Sequence, residues 1–237
     1  MKHFFCFCIL LLTPLSLGAQ RSDSSLFVQF DLASRWIWRG VSYSETPVLQ
    51  SSLGYQDSGF TGLVWVSYPL GRREYAEFDF IAEYNFTKWF KLGFTDYFGF
   101  TDTLNTSQKF FNTNPKTTRH VADLYLVLKP LPSIPVSFMW STWFWGGDRD
   151  RITREPLYSS YCELRLEKKA GPVTVYPFIG ATPWKGFYAD RAALVNAGIG
   201  FSRTYRWRNG LSMPLKLEFV LNPAKENVFM NAVISLR

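Results

Sequence analysis

The chain has 237 residues, is 47% hydrophobic and 18% aromatic, and carries a formal charge of +7. That length fits one β domain, and a basic balance fits nucleic acid, an anionic membrane surface or an anion-attracting channel. The opening MKHFFCFCILLLTPLSLGAQ excludes the first of these, because it marks the chain for export.

Lys2 and His3 form a basic start, residues 4–12 an apolar run, and Leu17-Gly18-Ala19 a small-residue exit. This is the pattern of a secretory signal peptide, residues 1–19, cleaved after Ala19 and followed by one domain over 20–237. The apolar run is shorter than the ~20 residues a spanning helix needs. Cleavage removes Cys6, Cys8 and Lys2, leaving Cys162 as the sole cysteine and a charge of +6. With no internal disulfide available, the domain must be held by its core, by lipid or by a partner.

Twelve segments of alternating polarity follow, at 25–36, 47–56, 60–69, 76–86, 90–100, 120–129, 135–145, 156–167, 172–181, 192–203, 212–221 and 227–236. Each is about the ~9–11 residues that a tilted strand needs to cross a bilayer. Strands of soluble sheets are commonly ~5–6 residues. In the first, Leu26, Val28, Phe30 and Leu32 share a face opposite Gln29 and Asp31. In the fourth, AEFDFIAEYNF, Glu77, Asp79 and Glu83 share one face while Phe78, Phe80, Ala82 and Tyr84 line the other. Asp96 interrupts the apolar row of the fifth, and Tyr176 and Phe178 leave the ninth apolar on both faces. In the tenth, Ala193, Val195, Ala197, Ile199 and Phe201 read as one row, and Val228 to Leu236 repeat the pattern in the twelfth.

The connections sort by side. Those after even segments are short, such as Asp57-Ser58-Gly59, whereas 101–119, 146–155 and 184–191 are long and polar. Short turns at one end and long loops at the other are the build of an outer-membrane barrel. The acids of AEFDFIAEYNF decide the same way, since a dry core cannot hold so many unpaired charges. With lipid outside, the greasy rows face outward and the charges face a wet lumen. Trp36, Trp38, Trp140, Trp143, Trp145, Trp184, Tyr188, Tyr205 and Trp207 fall near segment ends, where aromatic rings suit the headgroup zone. The expectation is an all-β, antiparallel, up-and-down transmembrane barrel of about twelve strands.

The block SRWIWRGVSYSETPVLQSSLGYQDSGFTGLVWVS, 34–67, with the acidic strand after it, resembles the opening of the TorF family of porins. The matching positions are 34–42, Gln50, Ser58-Gly59-Phe60 and 62–67, within a stretch ending at residue 86. The resemblance implies an outer-membrane barrel and a diffusion channel.

A channel needs charges of both signs along its lumen, and the inward-facing candidates are Arg35, Glu77, Asp79, Glu83, Asp123, Glu163, Arg165, Lys216 and Glu218. Opposite charges paired across a narrow lumen are the competing expectation, giving a plugged barrel that binds or supports instead of conducting. Arg39 has no assigned role beyond a rim position against lipid phosphate, and GGDRDRITRE is read as a solvated basic loop. Cys162 shares parity with Leu164 and Leu166 and is expected to face lipid. A lipid-modifying barrel enzyme would have to be built on His120, the single His after the leader, and no spacing singles out a nucleophile. No cofactor or metal is expected, and no nucleic acid. The expected partners are outer-membrane lipid and lipopolysaccharide, small hydrophilic solutes or ions, and in some assemblies further copies of the chain.

Overall fold

A computed structural model describes residues 25–71, 75–101, 109–129, 135–208 and 211–236. The expected leader, residues 1–19, lies outside the described residues.

The strands are β1 (Ser25–Ala33), β2 (Trp36–Trp38), β3 (Val41–Ser44), β4 (Val48–Asp57), β5 (Phe60–Pro69), β6 (Tyr75–Asn85), β7 (Phe90–Thr101) and β8 (His120–Leu128). They continue with β9 (Val136–Gly146), β10 (Ser160–Leu166), β11 (Lys168–Ala170), β12 (Val173–Thr182), β13 (Ala193–Arg206), β14 (Ser212–Asn222) and β15 (Asn227–Leu236). β2 and β3 form a separate hairpin. The rest form one antiparallel sheet in which β10 and β11 are two pieces of an interrupted strand, both paired with β12. β1 pairs with β15 as well as with β4, so the sheet closes on itself as a twelve-strand barrel without free edges.

The observed strands follow the alternation closely, with two exceptions, one of them the segment 156–167, which begins as a strand only at Ser160 and breaks after Leu166. The other is the first strand, which ends at Ala33 and not at Trp36, because the chain turns away from the wall there. Elsewhere the turns are local: Ser58 and Gly59 both take positive φ, 46° and 93°, which makes the two-residue turn that matches strand twist.

Side-chain direction answers the question posed by the alternating rows. Leu26, at 77% exposure, and Val28, Phe30 and Leu32 project outward, whereas Asp79 is 3% exposed and Glu77 and Glu163 are buried. Apolar rows cover the outside all round the barrel, with Leu217, Phe219, Leu221, Val228 and Met230 among them. A continuous apolar exterior of this kind suits lipid and not water.

Two irregularities of the sequence find partners here, and one regular row is broken. Asp96, on the outward face of β7, meets the His120 ring on β8 at 2.9 Å. Tyr176 and Phe178 point inward, where the Arg165 guanidinium lies 5.3 Å from both rings. Val195 does not join the outward row of β13. The β12–β13 register shifts at Gly180/Ala181, and Val195 is left fully buried inside the barrel.

Candidate functional site

The interior is organised by residues 34–47, which fold into the barrel. β2 and β3 pair Trp36 with Ser44, Ile37 with Ser42 and Trp38 with Val41, and Arg39 and Gly40 form the tip. Trp36 anchors the base, stacked on Tyr43 at 4.7 Å and packed on Trp65 of β5 and Tyr75 of β6. The tip reaches strands that lie across the lumen. Arg39 donates through Nη1 to Ser141 Oγ (2.8 Å) and Tyr188 Oη (2.7 Å), and its Nη2 lies 3.3 Å from Asp123 Oδ2. Its guanidinium also lies 4.2 Å from the Trp38 ring and 4.9 Å from that of Tyr161. Asp123, at 0% exposure, accepts further bonds from Ser141 Oγ and Tyr97 Oη. The Gly40 carbonyl accepts from Asn222 Nδ2 at 2.9 Å. Only glycine fits this tip: φ is +77°, and a Cβ would sit 2.0 Å from the Val195 carbonyl oxygen.

The hairpin divides the lumen. Toward the long loops lies a cavity of about 660 Å³ with Tyr43, Tyr75, Tyr97 and Phe187 on its wall and Arg149, Arg151 and Lys225 at its rim. Toward the short turns lie two smaller ones, of about 490 and 380 Å³.

The predicted lumen residues fall as follows. Arg35, Glu77, Asp79, Glu83, Lys216 and Glu218 border the 490 Å³ cavity, and Glu163 and Arg165 border the 380 Å³ one. Asp123 is sealed beneath Arg39. Most of these charges are held by neighbours. Glu77 accepts from Tyr75 Oη, and Glu83 from Tyr125 Oη and Lys91 Nζ. Glu163 accepts from Tyr161 Oη and Arg165 Nε, and Glu218 from Tyr176 Oη. Arg35 lies 5.9 Å from the Phe229 ring centroid. Asp79 Oδ1 is buried with no hydrogen-bond partner among the described residues.

Two expectations are corrected. Arg39 is not a rim residue against lipid phosphate; its side chain is 8% exposed, inside the barrel. The aromatic clusters are not all interfacial: Trp36, Trp38, Trp143 and Tyr188 pack in the interior, while Trp145, Trp184, Tyr205 and Trp207 face outward. Segment-end position cannot separate the two sets, since a strand end has an inner and an outer face. The RWIWRG block nevertheless carried a signal for the hairpin, a Gly at the point where a tight turn with positive φ needs one.

The long loops are tied over the mouth. Arg149 donates to the Pro115 and Arg154 carbonyls, and Arg154 to that of Lys116, so the basic loop is braced against the β7–β8 loop. Burial pushes the Asp148 carboxyl up, against the opposing pull of two Ser159 hydrogen bonds. His120 lies on the outer wall with Nδ1 on Asp96 and Nε2 2.7 Å from the Phe110 carbonyl. Both ring nitrogens are thus occupied, and neither contacts a hydroxyl nucleophile among the described residues.

No family model matches the chain, and no curated protein does. Among solved structures the chain is similar to one described as a KdgM porin, with a TM-score of 0.50 and 8% identity, over 90% of this chain and 96% of that one. At such identity the likeness speaks for the fold. It agrees with a closed antiparallel barrel and leaves the TorF resemblance resting on residues 34–86 alone.

Proposed function

We propose that this barrel is a porin-like channel of the outer membrane that passes small hydrophilic solutes or ions by passive diffusion. The observation that carries the reading is the inversion of polarity: charged cavities inside a closed twelve-strand wall whose outside is apolar. A wall of this kind is stable only with lipid around it, and interior charges are tolerated where water reaches them. The fold it shares with a porin supports the same reading. Outer-membrane lipid and lipopolysaccharide would contact the outer rows and the loop end.

A second reading, a non-conducting barrel that binds or supports, is favoured by one feature, the hairpin seated across the lumen. Single-channel recording of the refolded mature protein in a planar bilayer under a salt gradient separates the two. Discrete steps with a defined reversal potential support the channel. A folded, heat-modifiable protein that never conducts overturns it.

A further inference from the structure

We propose that the hairpin tip is the constriction of this channel and that Arg39 is the residue that positions it; the inference rests on the channel reading above. The larger cavity on the loop side and the 490 Å³ cavity on the turn side share three lining residues, Trp38, Tyr97 and Glu77. Those side chains stand between the two chambers. Trp38 also borders the third cavity. It is the septum.

Trp38 does not belong to the wall, so something must hold it in place. Its ring packs 5.5 Å from Tyr97 and 6.1 Å from Trp143, with the Arg39 guanidinium 4.2 Å from its centroid. Arg39 in turn is fixed by groups on two wall strands and one loop: Asp123 on β8, Ser141 on β9 and Tyr188 in the β12–β13 connection. Ser141 and Asp123 are fully buried, so the socket is dry and leaves the guanidinium fork one seat. A buried ion pair is weak evidence for stability by itself, but it penalises any arrangement that separates the charges. Here it disfavours every position of the hairpin in which the tip leaves the far wall. With its charge matched by Asp123, Arg39 sets the width of the passage through Trp38.

The test records unit conductance and the size cut-off for neutral polymers in planar bilayers, for the unaltered protein and for Arg39→Ala, Arg39→Lys and Trp38→Ala. Heat-modifiable migration first establishes that each variant is folded. The unaltered protein should conduct, and Arg39→Ala should raise unit conductance at least about twofold and admit larger polymers, because the narrowest section limits flow. Trp38→Ala should do the same with the socket intact, and Arg39→Lys, which keeps the charge but not the fork, should fall between. If Arg39→Ala fails to fold, Trp38→Ala decides alone. Folded variants whose conductance and cut-off equal those of a conducting parent overturn the inference and leave the channel reading standing. Parent and variants that fold but never conduct overturn the channel reading, and this inference with it.

Discussion

Replacing Asp123 by Ala should destabilise the barrel by about 3 kcal/mol. The figure is the low end of the ~3–5 kcal/mol cost of breaking a buried ion pair from one side. The cost arises because the Arg39 side chain, 8% exposed, keeps its charge and loses its carboxylate partner. Two further donors, Ser141 Oγ and Tyr97 Oη, lose the same acceptor. The low end is chosen because Arg39 retains its hydrogen bonds to Tyr188 and Ser141 and the faces of Trp38 and Tyr161, the two ring contacts being worth ~0.5–2 kcal/mol each. The hairpin can also leave its socket, which caps the loss at its docking energy. Urea unfolding in lipid vesicles, followed by tryptophan fluorescence, measures the change. Arg39→Ala and the Asp123/Arg39 double replacement complete a cycle, in which the double variant should recover ~1–3 kcal/mol relative to the sum of the singles. A cost below about 1 kcal/mol for Asp123→Ala, or strict additivity in the cycle, would refute the account of a buried pair whose members depend on each other.

Two other expectations concern the ends of the barrel. Brominated lipid should quench single-tryptophan proteins that retain Trp145, Trp184 or Trp207, and leave those with Trp36, Trp38 or Trp143 bright; equal quenching would contradict the division into outer and inner rings. At the mouth, the Lys185 ammonium 2.7 Å from Asp150, helped by the Ile152 and Thr153 amides, holds that carboxyl well below the ordinary range. Because folding lowers this pKa, the contribution of the pair is present above the unfolded value near ~3.9 and is lost as pH falls through the lower folded one. A carboxyl titration by NMR in micelles checks the direction. Lys185→Ala should move the midpoint back toward ~3.9, and an unmoved midpoint would show that Lys185 is not the cause.

What the sequence by itself determined is what a period of two can carry. Glu77, Asp79 and Glu83 alternate with Phe78, Phe80 and Ala82, and that is enough to make β6 a strand with a wet face and a greasy one. Repeated through the chain with turns sorted by length, it yields twelve strands, a closed wall and the placing of charges inside. Tertiary structure decided whatever depended on a partner remote in the chain. Asp96 looks misplaced until β8 brings His120 beside it, and Val195 keeps its alternation until β12 shifts register. The hairpin is the largest case. Residues 36–44 have the composition of a strand, and although Gly40 marks a turn, it does not say that the turn points into the lumen. The groups that settle it, Asp123, Ser141 and Tyr188, lie 84, 102 and 149 residues from Arg39. A buried cation takes the seat where its charge and donors are all met, and only the closed barrel assembles that seat.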